Sequence, residues 1–274
     1  MLVAKTIKEL QDFLKKEKSV GKKISFVPTM GALHQGHLSL FKRATEVGQI
    51  SVASIFVNKT QFNDPKDYEK YPRQLETDLN LLKNIGVSCI FAPADEEIFP
   101  KNSSGFKISP TNFTECLCGA ARPGHFEGVA LILSKFFNIV KPDVAIFGEK
   151  DFQQLLIIKN LVRDLNFDVQ ILGHEILREK SGLAMSSRNQ NLSDASKIKA
   201  AEIYQTLLAI KKNPESLSFQ AEKLLKSGFE KIDYLEIRDE KNLNLISNFS
   251  CENPTRIFIA VYLDGLRLID NIPL

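Results

Sequence analysis

The stretch FVPTMGALHQGHLSL, residues 26–40, decides the fold of the first part of the chain. An apolar run ending at Val27 leads into a glycine-containing turn, and we expect a helix to open near Gly36 or His37. This order places His34 and His37 at the carboxyl end of a strand, beside a helix amino terminus whose N–H groups favour phosphate oxygens. Gly36 would let the backbone approach a nucleotide closely. The same spacing also fits a metal-binding pair or two unrelated loop histidines.

Other apolar runs of strand length follow along the first two-thirds of the chain, and helical patterns separate most of them. Near-continuous apolar strands that alternate with helices predict a parallel sheet covered on both faces. We therefore expect a doubly wound α/β domain over residues 1–175, with its ligand beyond the carboxyl ends of the strands. Thr6 and Glu9 have capping-box spacing, which predicts a first helix to about Glu17. The predicted strands cover residues 24–27, 50–57, 87–92, 144–147 and 169–172.

The remaining residues, 176–274, predict a smaller α+β domain. A polar loop is followed by two lysine-rich helical segments, near 194–212 and 217–228, and then by strand-like runs at 232–237 and 256–263. Asp264 and Gly265 then give a strong hairpin signal before a last strand-like run at 266–269.

Composition limits the class of protein. The charge balance of 36 basic and 33 acidic residues leaves a formal +3, too small and too evenly spread for a nucleic-acid-binding field. The start, MLVAKTIKEL, lacks the apolar region of a signal peptide, and the longest apolar stretch, 128–140, is too short to span a bilayer. We expect a cytoplasmic protein with neither a nucleic-acid nor a membrane partner.

The four cysteines, Cys89, Cys116, Cys118 and Cys251, show neither structural zinc spacing nor a dense disulfide framework. They are interpreted as reduced thiols. The alternative is a C-x-C metal half-site at Cys116 and Cys118, which His125 could help to complete.

Two further motifs carry cationic and hydroxyl groups. In GEKDFQQLL, residues 148–156, Lys150 would point its ammonium into the cleft beyond the strand ends, although an ordinary helix start with Asp151 as cap explains the motif equally well when taken alone. In GLAMSSRN, residues 182–189, two serines and Arg188 could close over phosphates and stabilise charge at the α-phosphorus. Singly, that triplet is also typical of a solvated turn.

A third group of motifs suits a small organic acid. SIFVNKTQF, residues 54–62, presents Asn58 and Gln61 between phenylalanines, the mixture expected of a mostly apolar pocket for a polar ligand. Tyr71 and Asp78 could face the same opening. ARPGHFEGV, residues 121–129, is expected to form a glycine-containing turn ahead of an apolar helix, and it suits either an anionic ligand or a structural role.

Taken together, these motifs resemble the pantothenate synthetases, which are pantoate–β-alanine ligases of the nucleotidyltransferase superfamily. The resemblance extends over nearly the whole chain, and any single block would indicate only the wider superfamily. Seven blocks occur in the family's order: FVPTMGALHQGHLSL, SIFVNKTQF, YPRQLETDL, RPGHFEGV, PDVAIFGEKDFQQL, GLAMSSRN and LIDN.

The resemblance implies a Rossmann-like domain that binds ATP and pantoate, a smaller lid domain and a homodimer. It implies that magnesium-ATP, pantoate and β-alanine react through pantoyl adenylate to pantothenate, AMP and pyrophosphate. The catalytic residues carried over by motif are His34, His37, Lys150 and Arg188. Those implied to bind ATP are Pro28, Met30, Gly36, His37, Gly148, Lys150, Asp151, Ile176, Met185, Ser186, Ser187 and Arg188. Those implied to bind pantoate or β-alanine are Met30, Asn58, Gln61, Tyr71 and Gln154, with Asp78 near the magnesium.

The sequence departs from the family pattern at two positions. Lys59 stands where proline is common, and Cys118 stands where glutamate is frequent before Gly119. Both departures bear on the expected rigidity of their loops more than on the expected activity. Two rival functions stay open: nucleotidyl transfer to a phosphorylated acceptor, which would need extra cationic residues, and non-catalytic binding of nucleotide or RNA on the same fold.

Overall fold

The structure is a computed structural model that describes residues 1–102, 105–246 and 253–274. The chain divides into two compact units. The first comprises Met1–Asn112, Arg122–Glu149 and Gln154–His174, and the second comprises Phe113–Ala121, Lys150–Gln153 and Glu175–Leu274. The expected domains are the contiguous ranges 1–175 and 176–274, whereas two short segments from earlier in the chain group with the second unit.

The first unit is built on a six-stranded sheet in which every described strand pair is parallel. The strand order is β1-β4-β3-β2-β5-β6, so the expected α/β parallel sheet is confirmed. The short strand β1 was missed, because three residues are too few for a periodic signal. The strands are β1 (Leu2–Ala4), β2 (Ile24–Thr29), β3 (Ile50–Ile55), β4 (Cys89–Phe91), β5 (Val144–Gly148) and β6 (Gln170–His174).

The helices begin where the sequence supplies caps and apolar periodicity. Thr6 accepts from the N–H of Glu9 in the predicted capping box, which confirms the first helix. The α-helices are α1 (Ile7–Ser19), α2 (Gln35–Val47), α3 (Pro65–Lys70), α4 (Leu75–Ile85), α5 (Asp95–Ile98), α6 (Leu117–Ala121), α7 (His125–Val140), α8 (Phe152–Asp164), α9 (Asp194–Ala200), α10 (Glu202–Lys212) and α11 (Leu217–Ser227). Single 3₁₀ turns cover Lys59–Gln61, Glu149–Asp151, Ser187–Asn191 and Pro214–Ser216.

Helix α7 fills the core of the first unit because it is apolar almost all round. Its Phe136 ring meets the rings of Phe26, Phe56 and Phe91 edge-on at centroid distances of 6.0, 6.0 and 6.1 Å. These phenylalanines lie in β2, after β3 and in β4, so one side chain ties the middle of the sheet to the helix. Edge-to-face contacts of this kind add to the free energy gained from burial.

The second unit contains a three-stranded antiparallel sheet formed by β7 (Lys231–Asp239), β8 (Thr255–Leu263) and β9 (Leu266–Pro273). The predicted hairpin is confirmed, because Asp264 and Gly265 both have positive φ, 51° and 70°, as a two-residue turn between twisted strands requires. Its core joins α10 and α11 to the sheet through buried aliphatic side chains, Ile203, Leu207, Ile210, Leu224, Ile257, Ile259 and Val261.

Among the described residues, no helix is both long enough and apolar enough to cross a bilayer. Cys89, Cys116 and Cys118 are free thiols, and Cys251 lies outside the described residues. Burial raises the pKa of Cys89 to about 12. The thiol of Cys89, in the parallel sheet, is therefore protonated at neutral pH.

Gly128 marks the closest approach of α7 to the 3₁₀ turn at Lys59–Gln61. A Cβ atom on Gly128 would lie 2.3 Å from the carbonyl oxygen of Thr60, which is backbone and cannot rotate away. Helix propensity alone would favour Gly128→Ala by about 1 kcal/mol. We expect the steric term to dominate and the variant to lose roughly 1–3 kcal/mol of unfolding free energy, measured by urea denaturation.

Gly148→Ala is the matched control for this variant, because a Cβ atom there meets open space. It should unfold within about 0.5 kcal/mol of the parent protein. A Gly128→Ala variant as stable as the parent would show that the helix and the turn do not pack as described.

Candidate active site

The turn after β2 is held by a buried carboxylate. Gly31 and Ala32 have φ values of 81° and 52°, so successive N–H groups point to one side of the chain. Asp78 of α4, which has no exposed surface, accepts the N–H of Ala32 at 2.9 Å and that of Leu33 at 2.9 Å. A Cβ atom on Gly31 would lie 2.9 Å from the carboxylate. Asp78 therefore fixes the path from the sheet to α2.

The hydrogen bonds of Asp78 indicate a structural role that was not predicted from the sequence. Its two oxygens accept backbone N–H groups and the amide of Gln74 at 3.4 Å. Among the described parts of the chain, no three His, Cys, Asp or Glu side chains are grouped as metal ligands. That Asp78 lies near the magnesium stays a prediction. The contacts observed for its carboxylate support a structural role.

The two histidines of the first motif cap α2 reciprocally. His34 is the N-cap residue and its Nδ1 accepts the N–H of Gly36 at 3.1 Å, while Nδ1 of His37 accepts the N–H of His34 at 3.4 Å. The ring centroids lie 4.0 Å apart. The helix thus begins at Gln35, slightly earlier than expected, because an imidazole can act as its cap. A neutral ring that accepts at Nδ1 carries its proton on Nε2, so each ring has a donor there.

Three residues expected to bind the small substrates form one chain of contacts. Nδ2 of Asn58 donates to Oε1 of Gln61 at 3.0 Å and to the carbonyl of Gly128 at 3.1 Å. Nε2 of Gln61 lies 3.2 Å from Sδ of Met30. Asn58 is only 1% exposed, whereas Gln61 and Met30 are half-buried. Asn58 therefore orients Gln61, and Gln61 is the better placed of the two to contact a ligand.

The RPGHFEGV motif supports the same turn. Nδ1 of His125 lies 2.8 Å from the carbonyl oxygen of Gln61, and Nη2 of Arg122 donates to that oxygen at 3.4 Å. The two side chains also meet each other at 3.1 Å. His125 and Phe126 were expected on a turn before the helix, but α7 begins at His125. Both side chains are buried, which favours the structural interpretation of this motif.

The other residues of the first unit with an expected ligand role lie at strand and helix ends. Pro28 is the second-last residue of β2, and Gly148 ends β5 with open space above its backbone. Gln154 is half-buried in the first turn of α8. Tyr71 follows α3, and its ring lies 5.8 Å from that of Phe62.

The expected phosphate-binding residues Lys150, Ser186 and Arg188 are brought together inside the second unit. All three line one pocket, to which Asp270 and Arg267 of β9 also contribute. Ser186 caps the 3₁₀ turn that follows it by accepting the N–H of Arg188 at 3.3 Å.

The other residues of this unit that are expected to bind ATP lie close in sequence to residues that line the pocket. Met185 donates its N–H to the carbonyl of Leu177 at 3.0 Å, which closes the loop that begins after Ile176. Asp151 is exposed, and Ile176 and Ser187 are half-buried. Contacts of these side chains with a nucleotide stay predictions.

Cys118 contacts the guanidinium of Arg267 and the hydroxyl of Tyr234. Its Sγ lies 3.5 Å from Nη1 of Arg267 and 3.2 Å from the hydroxyl of Tyr234. Arg267 donates to Asp233 at 2.7 Å. Burial would raise the pKa of Asp233, but hydrogen bonds from Arg267 and Lys231 lower it. The carboxylate that partners Arg267 therefore comes from β7, and the thiol of Cys118 contacts a second nitrogen of the same guanidinium.

Sequence reasoning missed the side chains that hold the phosphate-binding segments. Gln153 is buried and bonds the N–H of Cys118 at 2.9 Å and the carbonyl of Cys116 at 2.9 Å. Asn271 donates to the carbonyl of Lys150 at 2.9 Å. The signal that could have found Asn271 is its place in the LIDN block, where two polar residues interrupt an apolar strand.

The role of Asp78 can be tested with Asp78→Asn. An amide can accept one of the two backbone N–H groups, but its NH₂ would face the other. We expect unfolding free energy to fall by about 1–3 kcal/mol in urea denaturation without magnesium or nucleotide. Glu76→Gln, the same chemical change at an exposed position of α4, is the control and should be neutral. Unchanged stability of Asp78→Asn, with altered magnesium dependence, would favour the metal role instead.

The chain is similar to known proteins over nearly its whole length. The sequence model of the family described as pantoate-beta-alanine ligase matches residues 2–273. A pantothenate synthetase from Caldicellulosiruptor bescii is 45% identical over 99% of this chain and 98% of the relative. Another, from a Marinomonas species, is 46% identical over 97% of each chain.

Solved structures show the same fold. A pantothenate synthetase from Thermus thermophilus superposes with a TM-score of 0.92 at 40% identity, covering 99% of both chains. A pantoate-beta-alanine ligase from Francisella tularensis, described as complexed with beta-gamma ATP and beta-alanine, gives a TM-score of 0.84 at 36% identity over 99% of this chain and 97% of that one. The chain belongs to the pantoate–β-alanine ligase family.

Proposed function

We propose that this chain catalyses the ATP-dependent condensation of pantoate with β-alanine, through pantoyl adenylate, to pantothenate, AMP and pyrophosphate. The observation that carries the proposal is the reciprocal cap of His34 and His37. It places both imidazole rings at the amino terminus of α2, beyond a central strand, where phosphate oxygens are favoured. The ATP and β-alanine described for the Francisella tularensis ligase support the choice of substrates.

In the first step, the ionised carboxylate of pantoate attacks the α-phosphorus of ATP, and the bond to pyrophosphate breaks. The nucleophile is already an anion at neutral pH, so no general base is required. The work of the protein is to place two anions together and to balance the charge that grows on the phosphate oxygens. We assign this work to Nε2 of His34 and His37, the ammonium of Lys150 and the guanidinium of Arg188.

In the second step, the free amine of β-alanine attacks the carbonyl carbon of the adenylate, AMP leaves with the bonding electrons, and one proton of the amine passes to the leaving phosphate. The acyl adenylate would hydrolyse in water, so the site must exclude solvent. We assign contacts with the organic substrates to Met30, Gln61, Tyr71 and Gln154. Asn58, being buried, acts through Gln61.

Magnesium enters this scheme with ATP as part of the substrate. Mg²⁺ keeps several waters and is usually held by phosphate oxygens and one or two carboxylates. The contacts of Asp78 with backbone N–H groups do not suit it to be the sole protein ligand, so no step is assigned to it. A cytoplasmic homodimer is the assembly we propose from the family resemblance, and light scattering of the purified protein would test the dimer.

The proposal is tested by pyrophosphate release from magnesium-ATP with pantoate alone and then with β-alanine. Multiple turnovers that need both substrates and yield pantothenate and AMP are the expected result. Pyrophosphate release with a phosphorylated acceptor, and none with pantoate, would establish nucleotidyl transfer instead. Nucleotide binding without turnover in either assay would favour the non-catalytic rival.

The donors are tested with His37→Ala and Lys150→Ala. Each should lower the rate of adenylate formation by about 10²-fold or more, because each removes one group that stabilises the transition state. The measurement is single-turnover pyrophosphate release with pantoate. The matched control is Lys159→Ala, at an exposed position of α8. Near-parent rates in His37→Ala and Lys150→Ala would overturn the assignment.

A further inference from the structure

Two adjacent polar residues near the end of β9, Asp270 and Asn271, are almost completely buried. They are 4% and 2% exposed. Neighbouring side chains of a strand point to opposite faces of the sheet, so the pair can reach two different parts of the unit. Buried polar groups lower stability unless hydrogen bonds compensate for lost water, and both side chains make specific bonds.

Asn271 holds the segment that carries Lys150. Its Nδ2 donates to the backbone carbonyl of Lys150 at 2.9 Å, and its Oδ1 accepts from Nη1 of Arg256 at 2.6 Å. The guanidinium of Arg256 lies 4.0 Å from the centroid of the Phe152 ring, and its Nε donates to Glu240 at 2.8 Å. One buried cluster therefore fixes the chain on both sides of Asp151.

Asp270 holds the loop that leads to Ser186. Its carboxylate accepts two bonds from Arg178, at 2.6 and 2.9 Å, the fork geometry that restricts orientation most strongly. Arg178 also donates to the carbonyl of Gly182 at 3.0 Å and stacks 3.9 Å from the ring centroid of Tyr204. A β-bridge joins Arg178 to Ala184, so the loop is anchored shortly before Ser186.

The hydrogen bonds of Asp270 and those of Asn271 are also connected with each other. The N–H of Asn271 donates to Oδ1 of Asp270 at 2.7 Å, and Nη2 of Arg178 donates to the carbonyl of Asn271 at 3.3 Å. Lys150, Ser186 and Asp270 line the same pocket. The spacing between the lysine and the serine loop is thus set through two consecutive residues of one strand.

We propose that Asp270 and Asn271 are positioning residues that fix Lys150 relative to the Ser186–Arg188 loop and thereby set the affinity for the triphosphate of ATP. The inference rests on the proposed function in taking ATP as the substrate. Neither residue donates a hydrogen bond to the nucleotide in this scheme. Asn271 acts through the backbone of Lys150, and Asp270 acts through Arg178 on the loop that carries Ser186.

The test uses two variants that keep side-chain shape. Asn271→Asp replaces the donor to the Lys150 carbonyl with an acceptor, and Asp270→Asn removes the charge that holds Arg178. We expect KM for ATP and Kd for ATP to rise about tenfold or more, since small displacements of positioned groups have large effects. KM for pantoate and for β-alanine, and Kd for adenosine, which lacks phosphates, should change less than about twofold, well below the tenfold that 1.4 kcal/mol represents.

Asp239→Asn is the matched control. Asp239 is 3% exposed at the end of β7 and accepts the N–H groups of Lys241 and Asn242, in the same unit but outside the pocket. It should lower the melting temperature without changing Kd for ATP. If the two test variants do not fold, Arg178→Lys and Arg256→Lys keep the charge, lose the planar fork and should give the same shift in ATP affinity.

Two outcomes would overturn the inference. One is unchanged Kd and KM for ATP in variants whose melting temperature falls as in Asp239→Asn. The other is an equal loss of affinity for ATP and adenosine, which indicates general damage to the unit. Absence of pantothenate formation by the parent protein would contradict the proposed function instead, because the comparison of ATP with adenosine binding does not depend on turnover.

Discussion

The buried carboxylate of Asp78 is the constraint on which the histidine site depends. It accepts two successive backbone N–H groups, from Ala32 and Leu33, in a turn where Ala32 has an unfavourable positive φ. Without that anion, two buried N–H groups would lack their partner and the turn would relax. Because His34 follows directly and caps α2, the carboxylate fixes where the helix begins and how both imidazoles are directed.

A common arrangement connects the separate motifs. Two residues expected to contact ligands, Gln61 and Lys150, are half-buried, and a more deeply buried asparagine donates a hydrogen bond to each of them. Asn58 orients Gln61, and Asn271 holds the backbone of Lys150. Donors that stabilise a transition state are effective when they need no reorganisation during the reaction. The buried amides supply that order, and their desolvation is compensated by hydrogen bonds on both the oxygen and the nitrogen.

The sequence was sufficient for features that depend on local pattern. The apolar runs predicted the parallel strands β2 to β6, and Asp264 with Gly265 predicted the hairpin, since both signals come from neighbouring residues. The start of α2 was predicted near Gly36 or His37 and lies at Gln35, although the imidazole cap that sets it has no strong sequence signature. The contacts of Asp78 could not be predicted either. Its partner Ala32 is 46 positions away, and only the fold brings the two together.

Lys150 shows that a residue close to a strand in sequence can be held by contacts with a different part of the chain. It follows β5 by two residues, which suggested that the parallel sheet positions it, yet residues Lys150–Gln153 group with the second unit. Hydrogen bonds explain this grouping. Asn271 donates to the carbonyl of Lys150, and Gln153 bonds the backbone of Cys118 and Cys116. Lys150 therefore belongs to the same unit as Ser186 and Arg188, and contacts inside the second unit fix the spacing of these three side chains. A triphosphate requires fixed spacing among its cationic and hydroxyl partners, because its charges are distributed along one chain of phosphates.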